Sequence, residues 1–312
     1  MKKIYMAVIA LMMTISDSAQ FYIYCSDGNV IKVDSISMVA PADEPDTPTE
    51  PEEPTNPSAG IGVFSVAEGR TVTFSKGNLQ YTQSTDTWSF AENQWDYIGT
   101  DNVTGGSVTS DPLDGDNKYG GNALADKIDL FGWGTGNNPT NSSTDNNDYQ
   151  TFVDWGTNQI GSDAPDTWRT LTCDEWRYLR YSRTNANDLV GVAQVNGVNG
   201  LILLPDNWTC PSGVTFKSGF HSSFGATYYA AYQTFTAAEW SKLEAAGAVF
   251  LPAAGDRHGT NVNWVQTCGD YWSATDENSS IYAYYLDFHS EGAYTTGSDR
   301  NGGYSVRLVK DL

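Results

Sequence analysis

Four cysteines and three histidines are the side chains best suited to catalysis or metal binding, so their spacing is the first test of the chain's chemistry. Cys25, Cys173, Cys210 and Cys268 include no C-x-x-C pair, which argues against structural zinc. Four thiols admit three full pairings, and spacing does not choose among them. His221, His258 and His289 stand neither beside a nucleophile elbow nor in a metal-ligand spacing, and exposed loop or strand-edge positions are expected for them. Asp111, Asp114 and Asp116 share a glycine loop, but their spacing departs from the helical calcium loop, so they read as solvated turn acids. The remaining acids are numerous without forming a motif such as the paired carboxylates of a glycosidase. No catalytic residue, metal ligand or cofactor is therefore expected.

What remains is recognition. Between residues 270 and 307 the chain carries Trp272, Asp276, Asn278, Tyr282, Tyr284, Asp287, His289, Tyr294, Asp299, Arg300 and Tyr304. Rigid rings among short polar groups suit an adaptable contact surface, and an aromatic face also packs on the apolar side of a sugar. The competing explanation is plain sheet packing, since alternating tyrosines line many half-buried strands. The expected partner is a glycan or a protein. With 17 Lys+Arg against 38 Asp+Glu and a net charge of −21, nucleic acid and anionic membrane lack the positive footprint they need.

The elements that must position these residues follow from composition and pattern. Lys2 and Lys3, the apolar run 4–15 and the small residues Ser16, Ser18 and Ala19 have the order of a secretory signal over 1–19, with export and a mature chain from about Gln20 expected. Cys25 follows bulky Ile23 and Tyr24, a poor lipidation context. Residues 20–40 read as a short β hairpin around Asp27-Gly28-Asn29. Six of the twelve prolines then alternate with acids across the 41–59 linker, an extended spacer. Residues 60–312 hold all ten tryptophans and read as one folded unit, with a hairpin over 63–74. No later run approaches the roughly 20 apolar residues of a membrane helix.

Two helices are predicted from one local device. Thr172-x-x-Glu175 and Thr236-x-x-Glu239 are capping boxes, each before a tryptophan. The first helix buries Trp176 and Leu179 and turns Arg177, Arg180 and Arg183 to solvent; the second stops at Gly247. A buried strand ending in proline follows each helix, at 201–205 and 249–252. Three more strands are expected, at 271–273, 281–288 and 304–309. The class is α+β.

Taken in order, Trp168-Arg169, Thr172-x-x-Glu175-Trp176, the proline-ended strand, Tyr271-Trp272-Ser273 and Ser305-Val306-Arg307-Leu308-Val309 resemble the C-type lectin-like fold of bacterial surface proteins. The likeness includes the variant shared by formylglycine-generating enzymes, the major paralogous domain of Fibrobacter and the variable proteins of diversity-generating retroelements. It spans about 60–312, with the core near 168–312. Gly77 to Tyr81, Phe90 to Gln94 and Asp129 to Gly134 further resemble secreted paralogues of gut Bacteroidota. The resemblance implies a twisted antiparallel sheet flanked by two helices, with long loops carrying the ligand face.

The departures matter as much. No cysteine lies in the active-site context of the formylglycine enzymes. Leu204-Pro205-Asp206-Asn207-Trp208 lacks the Glu or Gln that precedes proline in calcium-dependent lectins, and their Trp-Asn-Asp is missing. The expected function is a non-catalytic secreted or surface-displayed binding or adhesion module, with a structural surface or fimbrial component as the rival and an enzyme of the formylglycine-generating type as the remoter alternative. Resemblance to the retroelement proteins implies that residues 270–304 are the place where diversification would fall.

Overall fold

The computed structural model describes residues 60–99 and 126–312 in full, and the backbone of 21–24, 30–33 and 107–108. The 1–19 signal, the 41–59 linker, Cys25 and the acids at 111–116 lie outside the described residues. The chain divides into two compact units, 1–52 and 53–312. In the first, β1 (Phe21–Tyr24) pairs antiparallel with β2 (Val30–Val33). Among the described residues no helix is long and apolar enough to cross a membrane.

The large unit is mixed α+β, with many short strands and few helices. It opens with β3 (Ile61–Ala67) and β4 (Arg70–Phe74), joined through the left-handed Gly69, and β5 (Leu79–Thr82) with β6 (Thr87–Phe90). Two-residue strands β7 (Ser107–Val108) and β8 (Lys127–Ile128) follow. Helix α1 (Cys173–Arg177) continues as a π-helical turn, Tyr178–Ser182. β9 (Val190–Val195) and β10 (Val198–Leu203) form a hairpin whose turn, Asn196-Gly197, has both φ values positive, as a two-residue β-hairpin turn of the primed type requires. Then come α2 (Thr227–Tyr232), β11 (Thr234–Phe235), α3 (Ala237–Ala245) and β12 (Val249–Pro252). The chain closes with β13 (Asp256–His258), β14 (Asn261–Asn263), β15 (Cys268–Asp276), β16 (Tyr282–His289), β17 (Gly292–Asp299) and β18 (Val309–Asp311).

Two sheets carry the centre. In the order β11-β9-β10-β12, β10 sends Leu201 and Leu203 to one apolar cluster and Ile202 to another, so a run without polar alternation is buried on both faces. In β15-β16-β17, β16 places Leu286 and Phe288 with Phe74, Trp176 and Tyr271, and Ala283 with Trp272, Trp155 and Tyr304. Sheets β18-β4-β3, β6-β5-β8 and β13-β14-β7 complete the fold. Of the expected strand over 304–309, only Val309 joins a ladder; Tyr304 and Ser305 make single bridges to Phe131 and Tyr271.

Both capping boxes are formed. Thr172 accepts from the Glu175 N–H and Glu175 accepts from the Thr172 N–H, and Thr236 and Glu239 repeat the arrangement. Glu175 also receives both guanidinium arms of Arg169, each at 2.8 Å, and Arg70 at 3.0 Å. Burial alone would raise the Glu175 carboxyl, but Arg169 and the cap outweigh it and hold it below its usual 4.5. A lowered folded-state value means the contribution is complete above 4.5 and fades as pH falls through the folded value. Glu175→Ala is expected to cost about 2 kcal/mol near neutral pH, from one cap and a buried charged hydrogen bond. Thermal unfolding followed by circular dichroism would show the gap to wild type narrowing in acid.

Arg183 corrects the expected pattern. It is 4% exposed rather than solvent-facing, because the chain curls back and its guanidinium donates to the carbonyls of Leu179 and Leu204 and to Asp206. Arg177 and Arg180 stay partly exposed.

Candidate functional site

The β16 strand separates the residues expected to bind ligand into two ends and a buried middle. From Tyr282 to His289 the strand rises about 23 Å at roughly 3.3 Å per residue. Trp272 and Tyr304 lie in the middle, buried and stacked at 4.3 Å, with the Trp272 indole donating to the Phe131 carbonyl at 2.6 Å. Tyr304 donates to Ser298 Oγ. Tyr284 is half-buried beneath the Arg177 guanidinium, 5.0 Å from its ring centroid. Asp287 faces Asp270 directly across the β15–β16 ladder.

That carboxyl pair is electrostatically unfavourable. Burial, then the Asp287 and Asp256 carboxylates, push Asp270 well above its ordinary 3.8; burial also raises Asp287, against a small lowering by His289. Tyr285 and Tyr304, whose tilted rings lie 4.7 Å apart, are raised too, mainly by burial. A raised folded-state carboxyl binds a proton that the unfolded chain has lost, so stability falls as pH rises from 3.8 through the folded value. Asp270→Asn is therefore expected to raise stability near neutral pH by about 1 kcal/mol, since like charges face each other across the ladder. Melting temperatures taken across the acid-to-neutral range should slope less in the variant.

One end of the strand gathers Asp276, Asn278, Tyr282, Asp299 and Arg300. Arg300 is buried; its Nε donates to the Tyr282 carbonyl at 3.1 Å and its Nη2 to the Ser279 carbonyl at 2.6 Å. The guanidinium lies 4.4 Å over Trp133 and 3.6 Å from the Asp276 carboxylate. It therefore holds the loop from β15 to β16. Asp299 accepts from Asn146 at 2.7 Å, while Tyr282 and the left-handed Asn278 are exposed.

The other end carries His289 and Tyr294, and here the structure adds partners the sequence did not point to. Phe224 packs edge to face on His289 at 5.2 Å and on Trp264 at 6.2 Å; His289 in turn lies 5.8 Å from Tyr294. Tyr181 continues the row, its hydroxyl donating to the Ala293 carbonyl at 2.9 Å, with the Arg180 guanidinium stacked over its ring. Among the described residues eight large apolar side chains are exposed, and four of them, Tyr181, Phe224, Trp264 and Tyr294 at 45–49%, belong to this belt. This clustering makes the belt the candidate site, because single exposed side chains are ordinarily scattered.

Local structure sets each ring. Ser290, buried in the β16–β17 turn, donates to the Ser223 carbonyl and accepts from the Gly225 N–H, while its own carbonyl accepts from the His221 N–H. These bonds tie the 221–225 loop to the turn and put Phe224 beside His289. Trp264 has φ +57, unusual for a bulky residue, yet its carbonyl accepts from the Thr267 and Cys268 N–H groups. The loop thus holds the indole outward at a backbone cost of about 1 kcal/mol or more. A Phe between serine and glycine and a Trp among asparagines were the available signals.

The remaining chemical groups are dispersed. No disulfide joins Cys173, Cys210 and Cys268 to one another, and burial pushes the Cys173 thiol up. His258 is exposed; His221 is half-buried and stacks on Tyr228 at 4.6 Å. Among the described residues no three His, Cys, Asp or Glu side chains converge in a metal-holding group.

Residues 233–309, from β11 to the first residue of β18, are similar to the family described as Domain of unknown function (DUF8237). That stretch contains Trp264, His289 and Tyr294 but neither Phe224 nor Tyr181. No curated protein matches the chain, and no solved structure does.

Proposed function

We propose that residues 60–312 form a non-catalytic, C-type lectin-like binding module of an exported, surface-displayed protein, and that the aromatic belt is its ligand face. The observation that carries this reading is the exposed aromatic row in which Phe224 and Tyr294 pack on His289, Trp264 packs on Phe224, and Tyr181 is tied to the Ala293 carbonyl beside Tyr294. The ligand class follows from what the belt is made of. Its exposed apolar members are all aromatic, and flat rings with polar edges suit the apolar faces of pyranose sugars. The acidic chain disfavours polyanions, so the saccharide is neutral.

The test is binding of the full chain to an array of neutral glycans, with and without EDTA, beside Trp264→Ala. Binding that survives EDTA and is lost in the variant supports the reading. Silence on every neutral glycan, or retention by the variant, sinks it. A structural surface role has one observation in its favour: among the described residues β1 and β2 pair only with each other, and a lone two-stranded hairpin is marginal without added strands.

A further inference from the structure

A second surface feature has different chemistry. Beside the Arg300 end of β16, the loops from residue 133 to 153 enclose an open groove of about 390 Å3, within the size range of small-molecule sites. Its walls are rigid. Trp133 is sandwiched between Phe152, at 5.0 Å, and Arg300, and its indole donates to the Ser273 carbonyl. Tyr149 is buried and donates to the Ser143 carbonyl, Asn158 donates to the Gly136 carbonyl, and the Val153 N–H donates to the Gly134 carbonyl while the Val153 carbonyl accepts from the Gly136 N–H. Gln150 reaches across to the Ser280 carbonyl at 2.6 Å, fixing the groove against the β15–β16 loop.

Against that frame, the side chains of Asn137, Asn138, Asp148 and Thr151 have no hydrogen-bond partner among the described residues. The groove thus presents carboxamides that both donate and accept, a hydroxyl and a single carboxylate, on walls that lose little freedom when something binds. Each alternative ligand class lacks a feature it needs. No Lys or Arg lines the groove to meet an anion, one carboxylate is too few for a hard cation, and the Trp133 ring is covered on both sides, leaving little apolar surface for a lipid or an aromatic group. Neutral vicinal hydroxyls, which both donate and accept, match paired carboxamides.

We propose that this groove is a binding site for a neutral hexose, engaged by hydrogen bonds to Asn137 and Asn138 and separate from the belt. The site does not depend on the belt being a ligand face, because its residues and chemistry are different. Asparagine side-chain NH2 groups and tryptophan indole N–H groups give separate signals in a 15N-labelled spectrum. The full chain is titrated in turn with D-glucose, D-galactose, D-mannose and N-acetyl-D-glucosamine, each to saturation or to its solubility limit.

The expected result is saturable movement of the Asn137 and Asn138 side-chain signals and the Thr151 backbone signal with at least one sugar. In Asn137→Ala/Asn138→Ala, affinity read at Thr151 should fall at least about tenfold, as loss of two hydrogen bonds would give. Both positions are exposed, so the variant's other backbone signals should stay in place. Groove signals that do not move with any of the four sugars overturn the proposal, as does unchanged affinity in the variant. Movement confined to the Trp264 indole overturns the groove and leaves the belt standing. Groove movement with a silent indole supports the groove and counts against the belt.

Discussion

Trp264→Ala should weaken binding of a recognised neutral oligosaccharide about 30-fold, the loss of roughly 2 kcal/mol typical of a central aromatic contact. Phe224→Ala should match or exceed it, because Phe224 packs on both Trp264 and His289 and its removal frees two rings at once. The two losses should not add, since the rings touch. Trp264 is 45% exposed and Phe224 46%, so unfolding midpoints should move little. Isothermal titration of both single variants and the double variant checks this. Tyr282→Ala, at the opposite end of β16, should bind as wild type. Equal weakening there would mean that the ligand face is elsewhere.

The second large effect concerns folding. Arg307→Ala should destabilise the chain by about 4 kcal/mol, or roughly 10 °C in Tm for a domain of this size. Arg307 is 1% exposed and donates to Asn78 Oδ1 at 3.3 Å, the Lys76 carbonyl at 3.2 Å and Gln94 Oε1 at 2.6 Å. Its partners hold other elements. Asn78 donates to the Tyr271 hydroxyl, which donates to the Pro252 carbonyl, and Gln94 bonds Glu244, the Ala248 carbonyl and the Phe250 N–H.

Among the described residues no carboxylate pairs with the guanidinium, and burial pulls its pKa down to about 10. Its value lies in satisfying several buried acceptors at once, each costing about 1–3 kcal/mol when stranded. Arg307→Lys should recover little, because one ammonium cannot span the three acceptors. Urea unfolding measures both variants. A loss below about 1 kcal/mol in Arg307→Ala would mean that water replaces the guanidinium freely.

What could be read from the chain was local. The capping boxes at Thr172 and Thr236 are set by residues three apart, so they announce themselves in any context. The β9–β10 hairpin carries an equally local signal in Asn196-Gly197, but the apolar run at 201–204 by itself predicts one strand where the fold has two. The belt was legible only in part. His289 and Tyr294 lie on patterned strands, whereas Phe224 and Trp264 reach them through loops whose course depends on Ser290 and on a left-handed backbone. Trp272 and Tyr304 show the converse. Their ring chemistry suits a recognition surface, but both are buried and they close a core. Arg183 escapes a local reading for the same reason: two of its acceptors, the Leu204 carbonyl and Asp206, come from a segment 21 to 23 residues away.

The edge sheet has a topological consequence. Phe74 on the central strand β4 pairs with Ile61, where the large unit's first described strand begins, and with Val309, where its last strand begins. Entry and exit therefore stand about two strand spacings, roughly 10 Å, apart. A segment closed on itself in this way can be carried as an insertion in a host loop, or permuted by joining its ends and reopening a distant turn, without redirecting any strand. Belt and groove both lie between those ends, so a cut outside the 133–153 and 221–225 loops and the elements that carry Tyr181, Trp264, His289 and Tyr294 leaves both intact.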